Sequence, residues 1–179
     1  MYTVESRFAS PAECEHIVDL YDRMAGHPEM RRPGGNRSEI AANLVAGDPV
    51  LTGVRERMIE HLRKHHDPAL QPEFTLMAEA QVGDHIPVHA DNVLCAAGEW
   101  KPNHVPYRIS TALVYLTEFD GGQIVHTLMG SRFAPPPGGL VSFDCEGHYE
   151  HKVEPVTAGR RVSIAMWAAL PPHPVEPWA

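Results

Sequence analysis

The sequence predicts a mainly β domain, a jelly roll or sandwich with helices packed on one outer face. Two amphipathic helical stripes fall before residue 70. From Glu73 onward, short runs rich in β-branched and aromatic residues alternate with Gly/Pro turns, the pattern of an all-β architecture. A length of 179 residues favours one domain with a core of useful size.

Taken in order, the first helix starts at Ser10-Pro11-Ala12-Glu13, a capping box with proline at the first helical position. Ile17, Leu20, Tyr21 and Met24 follow at helical spacing. Residues 31–38, Arg31-Arg32-Pro33-Gly34-Gly35-Asn36-Arg37-Ser38, are polar and too broken for a helix; they read as a surface loop or a substrate-facing lid. A second helix begins at Asp48-Pro49, with Leu51, Val54, Met58 and Leu62 as its apolar stripe and Arg55, Glu56, Arg57 and Glu60 beside it. Both helices are expected to buttress a sheet. Strands are expected over 74–80, 107–117, 123–127, 140–144 and 161–167, punctuated by Asp120-Gly121-Gly122 and by 135–139. Residues 1–70 are thus read as helical support, 71–170 as the jelly-roll core and 171–179 as an extended proline-rich tail, all within one domain, 1–179.

The formal charge is −8, from 15 basic and 23 acidic residues, which argues against nucleic acid or an anionic membrane surface as partner. Cys14, Cys95 and Cys145 are odd in number, widely spaced and free of any CxxC pair, which suits a reducing compartment. The N-terminus has neither a basic start nor an apolar run, and no stretch approaches the roughly 20 apolar residues of a membrane span. The expected location is cytoplasmic. Oligomeric state is not legible.

Chemistry concentrates in Val88-His89-Ala90-Asp91 and in the segment from His151 to Ser163. Together they supply two imidazoles, a carboxylate and an arginine, a set able to hold a ferrous ion and a dicarboxylate beside it. Four His-x-acid pairs occur: His27/Glu29, His65/Asp67, His89/Asp91 and His148/Glu150. Both side chains reach one ion only if the pair lies on a strand, where residues i and i+2 share a side. His27 precedes a proline in a loop, and His65 sits at the end of the second helix. His89/Asp91 follows the glycine turn Gly83-Asp84 in what reads as extended chain, although a satisfied core or surface histidine is the alternative for His89. The third ligand is read as His151, opening a strand that ends at Gly159; His148, in a turn-like context, is the rival. If adjacent strands carry His151 and Arg161, the guanidinium lies near the ion and its planar fork suits a fixed carboxylate. Ser163 faces the same way as Arg161 and adds a hydroxyl.

With these motifs the chain resembles the Fe(II)/2-oxoglutarate-dependent oxygenases, in their prolyl-4-hydroxylase-like branch. The likeness covers nearly the whole chain. Arg37-Ser38 and the helix from Asp48 to Lys64 resemble the branch's loop and helix before the core. Gly83 to Asp91 matches its glycine turn and His-x-Asp pair. Arg108, Thr111 and Tyr115-Leu116 match its R-x-x-T-x-x-x-Y-L strand, Phe119 to Gly122 its F-x-G-G turn, and His151 to Arg161, then Trp167, its final motif. The resemblance implies a double-stranded β-helix (jelly roll), with iron held by His89, Asp91 and His151. It implies 2-oxoglutarate chelating that iron, with its far carboxylate on Arg161. Tyr115 is then a candidate partner of that carboxylate, or else a core strand tyrosine, and Thr111 is a weaker candidate. Two departures stand out. Ala80 occupies the place of a tyrosine found in many relatives, and Arg161 replaces the lysine of collagen-type enzymes. An intact Asp91 implies hydroxylation rather than halogenation.

The implied function is a dioxygenase that uses Fe(II), 2-oxoglutarate and O₂, with ascorbate as a candidate reductant. It hydroxylates an unactivated C–H of a small molecule or a peptidyl residue and releases succinate and CO₂. The alternatives are another metal-dependent cupin-type enzyme and a non-catalytic jelly-roll binding module. Substrate contacts are expected at Trp100, Asn103 and His104, in the polar insert after Asp91, and at Arg32 and Arg37 in the early loop.

Overall fold

The computed structural model describes residues 2–32, 38–96 and 99–173. In chain order the elements are β1 (Tyr2–Glu5), α1 (Pro11–Arg23), β2 (Ser38–Ala41), α2 (Pro49–His65), β3 (Gln71–Ala80), β4 (Ile86–His89), β5 (Val93–Ala96), β6 (Glu99–Pro102) and β7 (Arg108–Tyr115). There follow β8 (Phe119–Gly121), β9 (Ile124–His126), β10 (Ser131–Phe133), β11 (Leu140–Asp144), β12 (His151–Val153), β13 (Val156–Gly159) and β14 (Arg161–Ala169). Short 3₁₀ turns span Ala42–Val45 and Gly147–Tyr149. Most of the early loop, including Arg37, and residues 174–179 of the expected tail lie outside the described residues.

Local chemistry sets both helices. The Ser10 hydroxyl accepts from Glu13 N at 3.3 Å and Glu13 accepts from Ser10 N at 2.8 Å, so the capping box forms and satisfies two otherwise orphaned donors. Asp48 Oδ1 accepts from Val50 N and Leu51 N at 3.0 and 2.9 Å, capping α2. The stripes Ile17, Leu20, Tyr21 and Leu51, Val54, Met58, Leu62 are buried. They share one core with Val162, Ile164, Met166 and Ala168, alternate residues of β14. Both helices therefore cover one face of the sheet that contains β14. Among the described residues, no helix is long and apolar enough to cross a membrane.

That sheet has six strands in the order β1-β11-β7-β14-β3-β2; a second has four, β10-β9-β12-β4. All of their pairings are antiparallel. A second core joins Tyr115, Val141 and Phe143 of the larger sheet to Ile124 and Val153 of the smaller, so the sheets face each other. The fold is the expected double-stranded β-helix with helices on one outer face. Because side chains alternate along a strand, Arg161, Ser163, Ala165 and Trp167 take the inner face of β14 while its aliphatic partners take the helix side.

The structure differs from expectation in two places. Residues 1–70 are not helical support alone, since β1 and β2 form both edges of the six-stranded sheet. Edge strands of four residues carry too few periods to show in a hydrophobic pattern. The segment from His151 to Gly159 is not one strand. Pro155 has no N–H to give a ladder, and the chain leaves the four-stranded sheet after Val153. It re-pairs as β13 with β8. His151 and Arg161 therefore sit on opposite sheets, not on adjacent strands.

Two glycines give opposite expectations. Gly53 lies inside α2, and a Cβ there would meet nothing closer than Arg57 Nη1 at 3.9 Å. Gly53→Ala should stabilise the chain by about 0.5–1 kcal/mol, read as a higher urea midpoint at unchanged slope. Gly121 has φ +71°, and a Cβ would lie 2.3 Å from Pro155 O. Gly121→Ala should cost roughly 2–4 kcal/mol in the same measurement.

Candidate metal centre and the cavity beside it

β4 and β12 are neighbours, and His89 stands directly opposite His151 in their register. The ring centroids are 4.3 Å apart. Asp91, two residues beyond His89, brings Oδ1 to 3.6 Å from His89 Nε2. One ligand atom from each of the three side chains lies within 4.8 Å of the other two. The sequence-predicted triad is therefore assembled.

The ring orientations are fixed by the backbone. His89 Nδ1 is 2.9 Å from Pro87 O, and His151 Nδ1 is 3.1 Å from Tyr149 O. A carbonyl only accepts, so each Nδ1 carries the proton and each Nε2 keeps its lone pair, the arrangement that prepares imidazoles as metal ligands. Burial pulls the His151 pKa down to about 4; neighbouring Asp91 works against this and His89 adds to it. His151 is thus neutral, the form that binds metal, at ordinary pH.

The loops around the triad are held by side chains. Gly83, at φ +92°, turns the chain into β4. Asp84 takes both oxygens to Arg32 Nη2, at 2.9 and 3.1 Å. Asn103 Nδ2 donates to Asp91 O at 3.0 Å, and its Oδ1 accepts from Val105 N at 2.8 Å. Arg32 and Asn103, expected at the substrate contacts, both anchor loops that carry the triad. Cys145 places Sγ 3.9 Å from Asp91 Oδ2. Burial pushes that thiol's pKa well up, so it remains a donor to Asp91 and leaves Oδ1 facing His89. Trp100, on β6, lies against Gly147, and His104 is exposed. The rival ligand His148 is exposed in the 3₁₀ turn, 3.4 Å from Glu146. Sequence reasoning passed over His126, which stands opposite His151 from β9 and is fully buried among Phe133, Phe143 and Tyr149. Its only sequence signal was a histidine inside an apolar strand.

Arg161 faces this triad from the other sheet, at the first residue of β14. It is 3% exposed. Its Nη2 donates to Tyr115 Oη at 3.4 Å, its guanidinium carbon stands 4.9 Å from the centre of the Tyr115 ring, and its Nε has no partner. Among the described residues no carboxylate pairs with it. A buried cation without an anion is costly, by several kcal/mol even after relaxation. Tyr115 is fully buried, and burial raises its pKa against the opposing pull of Arg161, so its hydroxyl stays protonated and free to donate. His89, Asp91, His151 and Arg161 line one cavity of about 50 Å³, walled by residues such as Leu113, Ile124 and Val153. Such a space suits an acid with one end on a cation at the triad and a second carboxylate on the guanidinium. Ser163 is buried on the same face, opposite Tyr115. Thr111 lines the cavity, but its hydroxyl donates to Met166 O at 3.1 Å, which leaves a ligand only a lone pair. Ala80 lies directly beside Arg161 on β3.

Comparison with known proteins agrees with this geometry. The family model described as the 2OG-Fe(II) oxygenase superfamily matches residues 72–169. Prolyl 3-hydroxylase 2 of Mus musculus is 38% identical over 96 residues, covering 48% of this chain and 14% of the relative. Prolyl 3-hydroxylase 1 of Homo sapiens is 32% identical over 111 residues, covering 56% and 15%. The match thus spans about one seventh of these relatives. Among solved structures, the viral collagen prolyl hydroxylase of Paramecium Bursaria Chlorella virus-1, in its 2OG complex, superposes with TM-score 0.73 at 16% identity, covering 94% of this chain and 95% of that one. HygX from Streptomyces hygroscopicus, with nickel and 2-oxoglutarate bound, gives 0.71 at 14% identity over 95% and 83%. At such identities these structures share the fold.

The His151 shift sets a pH dependence. Its pKa is lower in the folded chain than the ordinary 6.5, so the unfolded chain takes up this proton first as pH falls. Its contribution to stability is intact above about pH 6.5 and drains away as pH falls towards 4. Urea midpoints of the metal-free chain should decline across that window, and His151→Gln should flatten the decline.

Proposed function

Because the chain belongs to the 2OG-Fe(II) oxygenase superfamily, we propose that it is an Fe(II)- and 2-oxoglutarate-dependent hydroxylase of a peptidyl residue, with peptidyl proline as the first substrate to test. One observation carries this reading: an uncompensated buried arginine faces a His-Asp-His triad across a single cavity. The prolyl hydroxylases among its relatives favour a peptidyl substrate.

His89, Asp91 and His151 would hold the iron. When bound, iron and 2-oxoglutarate supply O₂-driven oxidative decarboxylation to succinate and CO₂, coupled to hydroxylation of a substrate C–H. The chain's own residues orient and enclose. The Pro87 and Tyr149 carbonyls lock the two rings, and the Cys145 thiol and Asn103 amide hold Asp91. Arg161 would receive the far carboxylate of 2-oxoglutarate, and Tyr115, already accepting from Arg161, would donate its own O–H to the same carboxylate. Ser163 shares that face; Thr111 serves the strand pairing more than the ligand. The walls of Leu113, Ile124 and Val153 keep water from the reacting atoms.

The test is turnover with Fe(II), 2-oxoglutarate, ascorbate and prolyl peptides, with succinate and hydroxylated peptide counted together. Equal yields of the two are expected, and absence of any 2-oxoglutarate turnover would overturn the reading. Asp91→Ala should fall to background, while His148→Ala keeps full activity. Arg161→Gln should raise the KM for 2-oxoglutarate by roughly 30- to 1000-fold, the 2–4 kcal/mol expected for a truncated buried ion pair, with iron binding retained. An unchanged KM would remove Arg161 from the co-substrate site.

A further inference from the structure

The outer face of the six-stranded sheet carries a second cluster of two imidazoles and a carboxylate. His61 and His65 sit one turn apart on α2, which puts them on one helix face. Glu5 reaches the same point from the end of β1. Its Oε1 lies 2.9 Å from His61 Nδ1. The His61 and His65 rings have centroids 4.5 Å apart. One ligand atom from each of the three residues falls within 4.8 Å of the other two, the same envelope that encloses His89, Asp91 and His151.

The surroundings are those of a ligand set. The His61 side chain is 4% exposed. Its Nε2 is 2.7 Å from Thr3 Oγ1 and 3.2 Å from Ser142 Oγ, two hydroxyls able to accept from Nε2–H. With that proton in place, Nδ1 presents its lone pair to the Glu5 carboxylate. Two lone pairs at this separation need a positive centre between them, which a proton or a metal ion can provide. Among the described residues His65 makes no hydrogen bond, so its ring nitrogens are available. His66 is not: it uses Nδ1 on Asp144, at 2.6 Å, and Nε2 on Ser142, at 2.9 Å. The cluster also lies in the last turns of α2, where the helix dipole favours a cation.

We propose that Glu5, His61 and His65 form a second divalent-metal site, of the class that takes zinc. Two imidazole nitrogens, one carboxylate oxygen and a water would complete a tetrahedron. The ion replaces the proton between Glu5 and His61 and ties β1, an edge strand, to the end of α2. The site does not depend on the hydroxylase reading, since the six-stranded sheet separates it from the first triad.

The test uses the full chain, stripped by chelator and dialysed against zinc, in a His89→Ala/Asp91→Ala background that disables the first triad. One zinc per chain is expected by elemental analysis, with a zinc-dependent rise in melting temperature. Adding His65→Ala, a partly exposed position, should abolish both. Adding Glu5→Gln, which keeps a hydrogen-bonding oxygen but removes the charge, should weaken binding about tenfold or more. The proposal is overturned if the background chain binds no zinc, or if zinc uptake survives His65→Ala.

Discussion

The register between β4 and β12 carries the first triad. His89 and His151 meet because they are directly opposed in an antiparallel pair, and Asp91 joins them because it is two residues further along. Side chains alternate with period two, so a slip of one residue would turn an imidazole out of the cavity. The register is therefore held from several sides. Gly83 N donates to Val156 O and Val156 N to Asp84 O, while Arg32 grips the Asp84 carboxylate. The apolar contacts of Ile86, Ile124 and Val153 bury the same strands from within.

The facing sheet meets that register with a charge. Arg161 opens β14 on the inner face, while the preceding residue, Arg160, ties Asp22 of α1 and Glu79 of β3 together outside. Adjacent arginines, one just before β14 and one at its start, thus do different work because they point to opposite sides of the sheet. The outer one has its charge paired with two carboxylates, and its hydrogen bonds hold Asp22 below the usual carboxylate range. Among the described residues the inner one meets no carboxylate, and its hydrogen-bond partner is a phenol. A fold that keeps a guanidinium in this state gives up stability in the ligand-free chain and regains it when an acid binds.

What the sequence disclosed followed the range of the interactions. Both helices were legible because caps and stripes are local, and the triad was legible because His89 and Asp91 lie two residues apart in a motif-bearing stretch. Which sheet each residue joins was not. Nothing in the spacing from His151 to Arg161 reveals that Pro155 sends the chain across from one sheet to the other. Nor does the polarity of Asn103 or Arg32 reveal that each props a loop, through hydrogen bonds spanning 12 and 52 positions. Glu5, His61 and His65 are joined over an interval of 60 residues that no local pattern spans.

Strand β11 stands between the two clusters and touches both. Phe143 turns inward and its ring packs 4.8 Å from that of His151. Ser142 turns outward to His61 and His66. One peptide unit thus serves two chemistries, an apolar wedge on one side and a hydroxyl relay on the other. A single inserted or deleted residue here would exchange them, driving a benzyl group under the helix and leaving a hydroxyl behind the cavity imidazole. This strand has less freedom to drift in sequence length than any loop that feeds it.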